Sequence, residues 1–193
     1  MASSSSGSPA QGVDGDRLIA VRRLVPRSGA EYRVLVMSGL TALLIIAVDQ
    51  LSKIWAERFL QGQPPIRVIP GFFSLAFVTN KGAAWGIFNG HAPMLLVVAL
   101  VVLAGAIWFF RKLTEGYTER YFALMIILGG VVGNAIDRLW RGEVVDFLDF
   151  VFGSYHFPTF NIADSAICCG VALYMLSSLL RRDPSGMKDG GKA

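Results

Sequence analysis

Four long apolar stretches run through this chain and limit the folds it can adopt. About 20 apolar residues suffice to cross a bilayer as a helix, and the candidate spans are 34–60, 93–110, 121–140 and 162–180. Hydrophobic residues make up 53% of the sequence and charged residues 17%, against about 45–50% and about 25% in a typical soluble domain. The sequence therefore predicts an all-α membrane fold with four transmembrane helices.

The distribution of Lys and Arg predicts how these helices are oriented. Twelve of the 18 lie in residues 1–33, 111–120 and 181–193, which an even number of spans places on one side. Because basic residues accumulate on the cytosolic side of membrane proteins, both termini are predicted to be cytosolic in the cell (inner, or cytoplasmic) membrane. The net charge of +4 is thus a topology signal and does not indicate a nucleic-acid partner.

The sequence outside the spans predicts three further regions. Residues 1–33 form a predicted disordered basic cytosolic tail, 34–180 a four-span domain and 181–193 a second cytosolic tail. Between the first two spans, Ile66-Arg-Val-Ile and Phe72-Phe-Ser-Leu-Ala-Phe-Val favour strands, Asn80-Lys-Gly a turn, and 83–88 a returning strand. We expect a small sheet at the outer interface, with the aromatic and acidic segment 141–158 as a further outer element.

Polar residues gather near the outer ends of the predicted spans. The direction of each span places these residues in one layer near the outer surface of the membrane. They are Asp49, Lys53, Asn134, Asp137, Arg138, Asp146, Asn161, Asp164 and Ser165. Ionisable groups at membrane depth commonly cost about 2.5–3.5 kcal/mol on insertion scales and are by default a functional hypothesis. The layer therefore marks the candidate site.

Several of these residues also allow a purely structural interpretation. Asp49 and Lys53 could neutralise each other at i and i+4, and Asp137 with Arg138 could form a local ion pair. Asp164 could interact with the dipole at a helix start. Glycines 129, 130 and 133 are expected to permit close helix packing.

Asp146 and Asp164 together suggest a specific chemistry. Two carboxyls that approach closely cannot easily both ionise, and a pair sharing one proton supplies both a base and an acid. That is aspartic peptidase chemistry. The sequence contains no H-E-x-x-H and no G-x-S-x-G, which disfavours a zinc peptidase and a serine hydrolase. A small transporter or proton relay and a structural four-helix membrane protein remain alternatives.

Five motif blocks resemble the lipoprotein signal peptidase family, also called signal peptidase II. In order they are Asp49-Gln-Leu-Ser-Lys, Asn80-Lys-Gly-Ala-Ala, Gly129-Gly-Val-Val-Gly-Asn-Ala-Ile-Asp-Arg, Val144-Val-Asp-Phe and Phe160-Asn-Ile-Ala-Asp-Ser. The resemblance covers roughly 34–180. It implies a bacterial aspartic endopeptidase, active near the outer face of the membrane.

The resemblance also implies roles for individual residues. Asp146 and Asp164 would be the catalytic pair, with the substrate-binding residues Asn80, Gly82, Asn134, Arg138 and Asn161, and the supporting polar residues Asp49, Lys53 and Asp137. The substrate would be a diacylglyceryl-modified prolipoprotein cleaved just before its lipidated cysteine. The family further implies contact with membrane lipid, inhibition by cyclic peptides of the globomycin type, no metal and no cofactor. A sheet cradle and an outer loop or helix over the site complete the expectation.

Overall fold

The computed structural model of the protein describes residues 28–82 and 92–181. Its helices are α1 (Gly29–Leu60), α2 (Ala92–Trp108), α3 (Phe110–Thr114), α4 (Thr118–Trp140) and α5 (Ile162–Leu180). Helices α1, α4 and α5 are long and apolar enough to cross a membrane, and α2 contributes a shorter apolar helix, Pro93–Trp108. The protein is therefore a membrane protein with three full-length candidate spans among the described residues.

Two predicted helix boundaries differ from the observed ones. Helix α1 begins before residue 34, because Ser28 caps it by accepting a hydrogen bond from the backbone N–H of Glu31 at 3.1 Å. The second predicted span, 93–110, differs at its C-terminal end: α2 ends at Trp108, and the separate helix α3 begins at Phe110. Arg111 and Lys112 lie in α3, where basic residues are favourable near the helix C-terminus. Helix α3 ends at Thr114 and is followed by Glu115, whose φ of 48° is left-handed.

A four-stranded antiparallel sheet accompanies the helices. Its strands β1 (Ile66–Ile69), β2 (Phe73–Asn80), β3 (Val144–Phe152) and β4 (Tyr155–His156) lie in the order β1-β2-β3-β4. The two strands predicted at 66–69 and 72–78 are confirmed, and the predicted returning strand at 83–88 lies outside the described residues. The segment 141–158, expected as a further outer element, supplies β3 and β4, in keeping with the strand preference of its valines and aromatics.

Close helix packing places the polar residues of α1, α4 and α5 together. A Cβ atom added at Gly130 would lie 2.4 Å from the backbone oxygen of Ala163, and one at Gly133 would lie 2.6 Å from Asp49 Oδ2. The glycines of α4 therefore do allow the close approach predicted for them. At the end of α1, Ala56 and Leu60 pack with Val145 and Phe147 of β3 in a buried cluster, which fixes the sheet to the helices.

Candidate active site

A cavity of about 800 Å³ lies where β2, β3, α4 and α5 meet. The predicted site residues that line it are Asn80, Gly82, Asn134, Arg138, Asp146 and Asp164. Much of the remaining wall is apolar and comes from Val78, Val144, Phe157, Pro158, Phe160 and Ile167. The cavity thus combines two carboxyl groups with a surface suited to an apolar ligand.

Asp146 lies on β3 and is only 2% exposed. Its Oδ1 accepts a hydrogen bond from Asn161 Nδ2 at 2.6 Å and its Oδ2 one from Asn80 Nδ2 at 3.1 Å. Burial raises the pKa of Asp146 to about 7, and the neighbouring Asp164 carboxylate contributes in the same direction.

Asp164 lies in the first turn of α5. Its Oδ1 accepts from Asn134 Nδ2 at 2.7 Å, and its Oδ2 accepts from the backbone N–H of Asn161 at 3.3 Å. Asn161 in turn caps the helix by accepting from the Asp164 N–H at 3.0 Å, which completes a reciprocal capping box. Asp164 therefore has the helix-start role considered from the sequence and also faces the cavity.

Arg138 and Gly82 join the turn after β2 to α4. Arg138 donates to the backbone oxygen of Gly82 at 3.1 Å and to that of Asn134 at 3.2 Å. The Gly82 N–H donates to Asn80 Oδ1 at 2.9 Å, which holds the Asn80 amide with its donor toward Asp146. The local Asp137–Arg138 ion pair considered from the sequence is not formed, because Arg138 is turned toward these carbonyls.

Asp49, Lys53 and Asp137 form a fully buried group behind the cavity. Lys53 Nζ lies 2.9 Å from Asp49 Oδ2 and 2.8 Å from Asp137 Oδ2. Asp49 Oδ1 accepts from the backbone N–H of Ala163 at 2.9 Å. The ion pair of Asp49 with Lys53 that their spacing allows is formed, and Lys53 also pairs with Asp137 of α4.

Two half-buried residues that hydrogen-bond to this group were missed from the sequence. Gln50 donates to Asp49 Oδ2 at 3.1 Å and to Asp137 Oδ1 at 3.0 Å, and Arg141 donates to Asp137 Oδ1 at 2.8 Å. Gln50 lies within the first motif block and Arg141 is four residues after Asp137. The i, i+4 spacing between Asp137 and Arg141 could have predicted this ion pair from the sequence.

Asp149, a second acidic residue of β3, lies outside the cavity. It lies further along β3, where it pairs with His156 of β4. No group of three or more His, Cys, Asp or Glu side chains is arranged to hold a metal ion within residues 28–82 and 92–181.

Comparison with known proteins decides the family. Residues 41–180 match the model of signal peptidase (SPase) II. The chain belongs to the signal peptidase II family. The lipoprotein signal peptidase of Syntrophotalea carbinolica is 42% identical over 77% of this chain and 92% of its own length, and that of Bacillus pumilus 44% identical over 72% and 90%.

Solved structures agree with membership of signal peptidase II. A bacterial membrane enzyme determined by the in meso method at 2.3 Å superposes with a TM-score of 0.69 and 32% identity, covering 81% of this chain and 94% of that one. A second bacterial membrane enzyme, determined by the same method at 1.9 Å, superposes with a TM-score of 0.68 and 34% sequence identity. It covers 76% of this chain and 94% of that one. The transporter and structural-protein alternatives are not favoured by these relatives.

Proposed function

We propose that the protein is an aspartic endopeptidase that removes the signal peptide from diacylglyceryl-modified prolipoproteins, cutting just before the lipidated cysteine. The observation that carries this proposal is the pair of carboxyls, Asp146 from β3 and Asp164 from α5, that face one cavity. Membership of the signal peptidase II family supports the substrate class.

The surroundings of the two carboxyls suggest how they divide the chemistry. Asp146 carries the proton, since burial raises its pKa to about 7, and it polarises the scissile carbonyl by hydrogen bonding to the oxygen. Asp164 is the ionised base, held by the Asn134 amide, and takes a proton from the attacking water as the C–O bond forms. When the C–N bond breaks, that proton passes to the leaving amine, so the shared proton is restored.

The cavity wall provides complementary surfaces for the substrate. Asn80, Gly82, Asn134 and Arg138 bind the polar peptide and glycerol ester groups. Asn161, expected to bind substrate, is fully buried and acts on the site through its hydrogen bond to Asp146. The apolar wall of Val78, Phe157, Phe160 and Ile167 receives apolar side chains, and the acyl chains extend along the membrane helices. Cyclic peptides of the globomycin type inhibit by occupying the same cavity, and no metal or organic cofactor takes part.

The proposed location follows from the distribution of charge. The enzyme is a multi-pass protein of the cell (inner, cytoplasmic) membrane in which α2 is a fourth span, both termini are cytosolic and the cavity opens near the outer face. Residues 34–180 form the peptidase domain, and the basic tails on either side remain in the cytosol.

Cleavage by purified protein tests this function. Wild type should convert a diacylglyceryl prolipoprotein to its signal peptide and lipidated mature chain, and Asp146→Asn and Asp164→Asn should each lower kcat by at least about 1,000-fold, because either change removes one partner of the shared proton.

Asp149→Asn is the matched control for these variants. It makes the same chemical change on the same strand as Asp146, but outside the cavity, and is expected to retain turnover within a few fold of wild type. Near-normal turnover by folded Asp146→Asn or Asp164→Asn would overturn the proposed pair.

A further inference from the structure

Lys53 is a fully buried cation whose hydrogen bonds are all accounted for. Its side chain is 0% exposed, and Nζ contacts Asp49 Oδ2 at 2.9 Å, Asp137 Oδ2 at 2.8 Å and Asn134 Oδ1 at 2.9 Å. An ammonium group has three N–H donors and no acceptor. Each donor therefore has a separate oxygen, and the third leads toward the cavity.

The Asn134 amide connects Lys53 to the proposed base. Its Oδ1 accepts from Lys53 and from Asn161 Nδ2 at 3.2 Å, while its Nδ2 donates to Asp164 Oδ1 at 2.7 Å. Rotating the amide by 180° would set its NH₂ against an ammonium that can only donate and its oxygen against a carboxylate. The ammonium thus selects the amide orientation that gives Asp164 a donor.

Asn161 provides a weaker constraint on the same amide. Its Nδ2 lies 2.6 Å from Asp146 Oδ1 and 3.3 Å from the Val145 oxygen, compared with 3.2 Å from Asn134 Oδ1. An amide nitrogen has two donors, so these three acceptors compete for them. Lys53, in contrast, has one N–H for each of its three acceptors, so its hydrogen bond to Asn134 Oδ1 has no competitor.

The counter-charges of Lys53 hold the chain next to both carboxyls. Asp49 accepts from the backbone N–H of Ala163, adjacent to Asp164, at 2.9 Å. Asp137 accepts from the N–H of Val145, adjacent to Asp146, at 3.3 Å. Arg141 forms an ion pair with Asp137 at 2.8 Å, so the two carboxylates are balanced by two cations, Lys53 and Arg141.

We propose that Lys53 is a positioning residue of the peptidase: it fixes the Asn134 amide so that Asp164 keeps its hydrogen-bond donor during catalysis. This inference rests on the proposed function. Lys53 acts through Asn134 and does not itself line the cavity, so its loss should lower kcat more than it weakens substrate binding.

A pair of charge-balanced double variants isolates this hydrogen bond. Lys53→Met/Asp49→Asn removes both the cation and one carboxylate and leaves Asp137 paired with Arg141. Lys53→Gln/Asp49→Asn has the same charge, but its amide can still donate to Asn134. The Met variant is expected to show at least about tenfold lower kcat than the Gln variant, with KM for the diacylglyceryl prolipoprotein within about threefold.

The pH profile of kcat provides a readout that packing alone would not change. The groups that interact electrostatically with Asp164 are Asp146 from β3, Arg138 from α4, and Lys53 and Asp49 from α1. The Gln and Met variants share all the charges in this set. An acid limb that moves to higher pH in the Met variant relative to the Gln variant would therefore report the lost donor to the ionised carboxylate.

A double-mutant cycle tests whether Lys53 acts through Asn134. When both double variants also carry Asn134→Ala, their kcat values should differ by less than about twofold, because the acceptor is gone. Equal kcat and pH profiles for the two double variants, a fully retained difference in the Asn134→Ala background, or failure of both double variants to fold would overturn the role of Lys53.

The proposed function fails by a different result. If wild type does not cut the substrate, or if folded Asp146→Asn or Asp164→Asn cuts it normally, the peptidase assignment is lost. If wild type cuts and the Met and Gln variants match each other, only the positioning role is lost.

Discussion

At the scale of single residues, the asparagines organise the candidate site. Asn80, Asn134 and Asn161 each donate to one of the two carboxyls, and their own oxygens are held by a backbone N–H or by a cation. An amide that is fixed at its oxygen presents its donor in one direction. Among the described residues, no buried side-chain nitrogen or oxygen is left without a partner, so the polar layer is fully satisfied.

The raised pKa of Asp146 makes folding stability depend on pH. Its pKa rises from an ordinary value of 3.8 to about 7 in the folded protein, so between these values the folded state holds a proton that the unfolded state releases. The free energy of unfolding is therefore highest below about pH 4, where this group is protonated in both states. It falls as the pH rises to about 7, by up to about 1.4 kcal/mol per pH unit.

Thermal unfolding in detergent checks this dependence. The Tm of wild type should fall between pH 5 and pH 8 more steeply than that of Asp146→Asn, which cannot ionise, and Asp146→Asn should be the more stable protein at pH 8. Parallel Tm profiles for the two proteins would contradict the raised pKa of Asp146.

At the scale of secondary-structure elements, α4 is the element against which the site is assembled. It carries Asn134, Asp137 and Arg138, and its glycines allow α1 and α5 to approach it closely. In a membrane, small residues at helix interfaces let van der Waals packing and hydrogen bonds replace the hydrophobic force that lipid does not supply. The glycines and the polar residues of α4 are therefore parts of one packing arrangement.

Gly130→Ala tests the contact between α4 and α5. The added methyl would lie 2.4 Å from the Ala163 oxygen and 2.8 Å from Ile167 Cγ1, so the helices must separate at the residue before Asp164. We expect a loss of about 1–3 kcal/mol, as for overpacked cores, seen as a lower Tm and reduced cleavage.

Gly39→Ala is the matched control on α1. A Cβ atom at Gly39 has nothing within 4 Å, and alanine favours a helix, so its Tm should equal or exceed that of wild type. A Gly130→Ala protein as stable and active as Gly39→Ala would show that the close approach is not required.

At the scale of the whole molecule, the two ends of the helices carry different kinds of polar group. The carboxyl pair, the asparagines and the sheet lie at one end. At the other, Tyr121 donates to Glu31 at 2.8 Å and Arg181 donates to Glu119 at 3.1 Å. This asymmetry is consistent with a cavity that opens toward one face of the membrane only.

Single-cysteine labelling tests the proposed topology. In a background with Cys168 and Cys169 changed to alanine, a membrane-impermeant maleimide applied to right-side-out vesicles should label Ser154→Cys, in the exposed β3–β4 turn. Lys112→Cys, in α3 and also exposed, should react only after the vesicles are permeabilised. Labelling of Lys112→Cys in sealed vesicles would contradict cytosolic termini.

The sequence by itself determined the membrane fold, the first, third and fourth long helices, the first two strands and most of the polar residues of the site. Apolar length and backbone preference are local properties, so they can be read along the chain. Resemblance to one family then selected Asp146 and Asp164 from the acidic candidates, a choice that spacing alone left open.

Only the tertiary structure decided which of these residues contact one another. Lys53 and Asn134 are 81 residues apart in sequence, and Asn80 and Asp146 are 66 apart. It also showed that 141–158 forms strands, that Arg138 binds carbonyl groups, and that Asp149 pairs with His156. Hydrogen bonds of this kind depend on how three helices and a sheet pack together, which is a property of the whole fold and not of any one segment.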